Sequence, residues 1–198
     1  MLLLPSFTVY IRTMRTLVFN LFLLISLFAG SNVFAGCVNL CNDAWWNKIS
    51  SSELIEYTKN INSINIRDDY GFTPLHFAVS DNHPKKIKIL LQIGANVNAK
   101  SHYGFTPIYH AVGKHNDLEV VNLLIESGAK VNIKNRDGIT PLHYAAWGTA
   151  DKIESLLRAG ANPKVTSKSG RTAYDMALEN EGLIGSDALK ALKEAVTN

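Results

Sequence analysis

The chain has 198 residues, 46% of them hydrophobic and 19% charged, which is enough apolar material for one domain with a buried core. Its formal charge of +3 comes mostly from the N-terminus: residues 1–35 hold Arg12 and Arg15 and no acid, leaving 18 basic against 17 acidic residues in the remainder. A body so close to neutral argues against nucleic acid as the partner, because phosphates call for a basic face.

Residues 17–28 are almost purely apolar and follow Arg12 and Arg15, with small residues up to Ala35. This order describes a secretory signal peptide over residues 1–35, cut after Ala35. Met14-Arg15-Thr16 is a more ordinary beginning than Met1, which makes residues 1–13 a candidate misassigned start. Two other readings stay open. Residues 17–35 are just long enough to remain as a membrane anchor, although Asn20, Gly30, Ser31 and Asn32 weaken it. Phe34-Ala35-Gly36-Cys37 is similar to a bacterial lipobox, with Phe34 where an aliphatic residue is usual, and would lipidate Cys37. The leader's style suggests a bacterial source. The simplest reading of Cys37 and Cys41, four apart in an exported chain, is a local disulfide. Two thiols are too few for a structural zinc site.

Beyond this point the chain repeats. Gly71-Phe72-Thr73-Pro74-Leu75-His76 returns at Gly104, at Gly138 and, degraded, at Gly170, in steps of 33, 34 and 32 residues. Such a period marks stacked supersecondary units. Within one unit, 68–71 is a turn, and Gly71 supplies the backbone freedom it needs. Thr73 stands at a helix N-cap with Pro74 at the first helical position. Leu75, Ala78 and Val79 then form an apolar stripe with small members. Residues 82–84 turn into a second helix carrying Ile87, Ile89, Leu90 and Leu91, which Gly94 ends as a left-handed cap. The one-residue differences in period fall in the turn between the helices, near residues 113–117 and 147–150.

Thr-Pro-Leu-His-x-Ala, then Leu-Leu, then Gly-Ala-x-Val-Asn in phase over residues 40–195 resembles the ankyrin repeat. The resemblance implies an all-α solenoid of paired antiparallel helices with projecting hairpin-like fingers. The expected units are an N-terminal segment with a degenerate capping repeat at 36–66, repeats at 67–99, 100–133 and 134–165, and a C-terminal cap at 166–198. In the N-terminal cap, Trp45 and Trp46 are expected on the inner helix and Leu54, Ile55 and Tyr57 on the outer one. Tyr109 replaces the motif histidine, which puts the local Thr–His hydrogen bond in question there.

Six histidines invite an active-site reading. His76 and His143 are motif positions expected to pack, and His83 and His115 fall in inter-helix turns. His102 and His110 alone depart from the pattern; a His-based enzyme or metal-binding regulator built on them is the lesser alternative, and no acid accompanies them at a metal-site spacing. Nucleophile motifs and a glycine-rich phosphate loop are missing from the sequence. The expectation is a non-catalytic, monomeric protein-interaction module with no cofactor and no metal, placed by its leader in a secreted or periplasmic compartment. It would touch a membrane only if the N-terminus were retained or lipidated.

The resemblance also implies that a protein partner would bind on the concave surface formed by fingers and inner helices, around the finger glycine and just past the inner helix. Those positions are Tyr70 and Phe72; His102, Tyr103, Phe105 and Lys114; Arg136, Ile139 and Trp147; and Arg171. Aromatic residues and Arg are the usual anchors of an interface. Phe72 and Phe105 have a competing role in packing on the next finger.

Overall fold

The computed structural model describes residues 40, 46, 48–59, 63–113 and 117–197, all within one compact unit, Cys37–Asn198. The leader, Cys37, Cys41, Trp45, Lys114 and His115 lie outside the described residues. Among the described residues there is no strand.

Inner helices α2 (Pro74–Ser80), α4 (Pro107–Ala111), α6 (Pro141–Ala145) and α8 (Ala173–Ala177) alternate with outer helices α1 (Ser51–Thr58), α3 (Pro84–Gln92), α5 (Leu118–Glu126), α7 (Ala150–Arg158) and α9 (Asp187–Thr197). Each inner helix packs on the next inner one, and each outer helix on the next outer one. This is the all-α solenoid expected from the repeats. Helices of five to nine residues are marginal alone, so their stability comes from stacking. The stack is close because Ala78, Ala111, Ala145 and Ala177 hold the same repeat position and are all fully buried. Leu75, Ile108 and Leu142 precede them, and Ile87/Leu90, Val121/Leu124 and Ile153/Leu156 supply the facing stripe of the outer row.

Three polar devices bind repeat to repeat. In the first, the Asn98 side chain donates to Gly128 O at 3.0 Å and accepts from Lys130 N–H at 2.8 Å. Asn65 does the same with Gly94 O and Asn96 N–H, and Asn132 with Gly160 O and Asn162 N–H. Each amide thereby satisfies a carbonyl left open at the end of the neighbouring outer helix.

The second device is backbone pairing between fingers. His102 N–H donates to Tyr70 O at 2.8 Å, Arg136 N–H to Tyr103 O at 3.0 Å and Lys168 N–H to Asp137 O at 2.8 Å. Gly71, Gly104 and Gly138 all have φ between 75° and 83°, and a Cβ on any of them would meet the next finger within 3.0 Å. Gly170, on the last finger, keeps the same φ with nothing close by.

The third is a pair of buried lysines. Lys86 Nζ donates to Trp46 O and Lys152 Nζ to Gly113 O, each reaching back across the stack. Burial lowers the pKa of both.

At the N-terminal end Trp46 is fully buried and its indole N–H donates to Leu40 O at 2.9 Å. Leu54 is buried as expected and Tyr57 packs partly against the core, but Ile55 is 45% exposed. Helix α1 has no preceding outer helix among the described residues, and it turns only Leu54 fully inward.

Candidate functional site

The finger and the inner helix of each repeat meet at the motif histidine. His76 Nδ1 accepts from Thr73 N–H at 3.0 Å and lies 2.9 Å from the Thr73 hydroxyl. Its Nε2 faces Phe105 O on the next finger at 3.2 Å, and a carbonyl can only accept, so Nε2 carries the proton. His143 repeats the arrangement, with Thr140 on one side and Arg171 O, 3.1 Å away, on the other. Both nitrogens of each ring are therefore engaged, leaving neither imidazole available as a base or a metal ligand.

At Tyr109 the local half of this device is lost and the long-range half is kept. The Thr106 hydroxyl is buried without a hydrogen-bond partner. The Tyr109 hydroxyl instead lies 2.5 Å from Ile133 O and 2.7 Å from Ile139 O, and Ile139 is the finger position matching Phe105 and Arg171. Burial raises the pKa of this phenol, so it stays protonated and able to donate.

A strip of rings crosses the inner helices in front of these anchors. Phe72 contacts His76 at 5.3 Å, Phe77 at 6.3 Å and His110 at 5.6 Å, centroid to centroid. Phe105 contacts Tyr109 at 5.3 Å and Tyr144 at 6.1 Å, and Tyr144 reaches Trp147 at 5.6 Å. These contacts are edge-to-face, the favoured geometry for ring quadrupoles. His76 and His110 lie 5.8 Å apart inside the strip. Burial, and secondarily the neighbouring His110, depress His76 to about 3, while burial alone depresses His110 to about 4. Both are neutral at neutral pH and pack as aromatic rings within the strip.

The positions marked from sequence divide into two sets. Tyr70, Tyr103 and Trp147 are 58%, 48% and 43% exposed, unusual for side chains of their size, so they are the rings presented to solvent. Arg136 is exposed and its guanidinium lies 5.8 Å over the Tyr103 ring. His102 is exposed on its finger and its ring crosses the space above Gly71. Phe105 and Ile139 are half-buried against the core, Phe72 is half-buried among the rings of the strip, and Arg171 is half-buried and paired with Glu179 at 2.8 Å. Lys114 lies outside the described residues.

Two strip residues escaped the sequence reading, Phe77 and Tyr144. With His110 they occupy the position six residues after the finger glycine, immediately before the buried alanine. That phase was readable: the "x" of Thr-Pro-Leu-His-x-Ala is aromatic in all three repeats.

Among the described residues no group of three or more His, Cys, Asp or Glu side chains is placed to hold a metal ion, and no helix is long and apolar enough to cross a membrane. The pattern described as ankyrin repeats (3 copies) matches residues 44–135 and again 108–197, well over half of the chain. The chain belongs to the ankyrin-repeat family. Ankyrin repeats are generally protein–protein interaction modules without catalysis of their own, and they point to a protein as the partner class. No curated protein matches this ankyrin-repeat chain.

Proposed function

We propose that this ankyrin-repeat protein is exported from the cytoplasm and binds a partner protein on the surface formed by its fingers and inner helices, as a monomer and without catalysis. The observation that carries the binding site is the unbroken run of rings from Phe72 to Trp147, flanked by the exposed Tyr70 and Tyr103. A rigid stack whose rings already brace one another loses little conformational freedom on binding, which favours affinity. Phe72, Phe105 and Ile139 serve mainly as the floor of this surface, while Tyr70, Tyr103, Arg136 and Trp147 are its contacts, with His102, Lys114 and Arg171 at the rim.

Export is supported by the apolar run at 17–28 behind Arg12 and Arg15. Cleavage after Ala35 would give a secreted or periplasmic protein beginning at Gly36, with Cys37 and Cys41 joined. Lipidation at Cys37 would anchor it at the envelope instead. Intact mass spectrometry of the mature protein separates these outcomes.

The binding site is tested by affinity capture from the native compartment, comparing the wild type with a Tyr103→Ala, Trp147→Ala double variant. Both side chains are exposed, so the helical circular dichroism should not change while the captured partner is lost. Equal capture by the two proteins would remove this surface from consideration.

A further inference from the structure

The near-neutral total conceals a segregation of charge. Residues 98–105, 132–139 and 164–171, the last three fingers, contain six cations, Lys100, Lys134, Arg136, Lys164, Lys168 and Arg171, against the single acid Asp137. The rest of residues 36–198 holds 12 cations and 16 acids. Five of the six finger cations are exposed, and among the described residues none of those five lies in an ion pair. Arg171 alone pairs internally, with Glu179.

The first finger has the opposite balance. Asp68 and Asp69 outnumber Arg67 there, and Arg67 is used within the stack, donating to Gly71 O and Lys100 O. The row of fingers therefore runs from acidic at one end to basic at the other. Backbone bonds from Arg136 N–H to Tyr103 O and from Lys168 N–H to Asp137 O fix the basic fingers in register. Like charges held side by side on a rigid edge repel, and opposite charge brought by a partner relieves that repulsion.

We infer that the partner presents an acidic, extended polypeptide segment, whose carboxylates lie along the last three fingers and whose apolar side chains meet Tyr144 and Trp147. This rests on the proposed concave-face binding and adds the chemistry of what is bound. A single-stranded nucleic acid fits less well. The rings of Tyr109, Tyr144 and Trp147 are packed edge-to-face on one another, so they do not form the series of open platforms on which bases stack. Asp137 also interrupts the basic row, which separate carboxylates can avoid and a continuous phosphate backbone cannot.

The test is an array of synthetic peptides of unbiased sequence, grouped by net charge and probed with the purified protein. The expected binders combine Asp or Glu with an aromatic or aliphatic residue and weaken as salt is raised. Arg136→Glu with Lys168→Glu should reduce their affinity at least ~10-fold, whereas Lys85→Glu, on outer helix α3, should leave it unchanged. Binders without charge preference that are nonetheless lost in Trp147→Ala would overturn the acidic assignment and leave the concave-face reading standing. Acidic binders sensitive to the finger reversals but indifferent to Trp147→Ala and Tyr103→Ala would instead sink the concave-face reading. Absence of any peptide binder, or tighter binding of a single-stranded oligonucleotide than of any acidic peptide, also overturns the inference.

Discussion

The hydroxyl of Tyr109 lies 2.7 Å from the carbonyl oxygen of Ile139, reaching from an inner helix to the finger of the next repeat. It thus does for the middle of the stack what Nε2 of His76 and of His143 does on either side. The element common to the three repeats is the bond between repeats; the bond within the repeat, to the Thr106 hydroxyl, is absent. Tyr109→Phe tests this directly. It preserves the ring and its contact with Phe105 while leaving Ile139 O and Ile133 O without their donor. The expected loss is about 1–3 kcal/mol in urea unfolding, with little change in the slope. A loss indistinguishable from zero would mean that water replaces the phenol at no cost.

The asparagine bridges predict a graded pair of variants. Asn98→Ala removes the donor to Gly128 O and the acceptor for Lys130 N–H, and should cost about 1–3 kcal/mol. Asn98→Asp keeps the acceptor and loses the donor, with a carboxylate set against a helix C-terminus, so it should also destabilise, chiefly at low salt. Equal stability of Asn98→Asp and wild type across salt concentrations would remove the helix-end argument.

Glycine at the fingers serves two purposes that can be separated. At Gly170 only the left-handed backbone is at stake, with φ 78° and open space around a Cβ. At Gly104 the same backbone is combined with Asn135 Cα 3.0 Å from where a Cβ would sit. Gly170→Ala should therefore cost about 1–2 kcal/mol, and Gly104→Ala more, by roughly 1–3 kcal/mol of crowding. Chemical denaturation of the two variants side by side reads the difference. Equal costs would show that the next finger yields freely.

What the sequence disclosed followed what the repeat constrains. Thr73, Pro74, Leu75 and the finger glycines could be placed because one backbone geometry admits few residue types at each of those positions. The outer stripe was less sharp: Ile89 and Leu91 are only half-buried beside the fully buried Ile87 and Leu90. The lysines were opaque for a physical reason. Lys86 and Lys152 read as solvated surface, and their equivalence is hidden by the length changes in the inter-helix turns. Only the folded stack shows each ammonium against a backbone carbonyl of the preceding repeat. In the candidate site the exposed Tyr70, Tyr103 and Trp147 were legible from position within the repeat. Phe77 and Tyr144 were less legible because the position after the motif histidine admits many residue types, and its aromatic role depends on stacking against rings of neighbouring repeats.

The buried histidines make stability depend on acidity. The folded state holds His76 near 3 and His110 near 4, against 6.5 for each in the unfolded chain. Below about pH 6.5 the unfolded chain binds protons that the folded one refuses, so stability is full above that pH and falls as the pH drops toward the folded values. The slope approaches about 1.4 kcal/mol per pH unit for each imidazole. Asp175, whose pKa is held down chiefly by its hydrogen bonds to Thr172, adds a further loss of the same sign at lower pH. Thermal unfolding followed from about pH 7.5 to about pH 5 should show a falling midpoint with retained two-state behaviour. His110→Tyr supplies the control, since Phe77 and Tyr144 hold aromatic rings at the equivalent positions. It removes one proton-binding site and should flatten the profile, with His76, His83 and His143, all lowered chiefly by burial, carrying what remains. A midpoint constant over this range in the wild type would mean that the imidazoles titrate freely and are not enclosed by the strip.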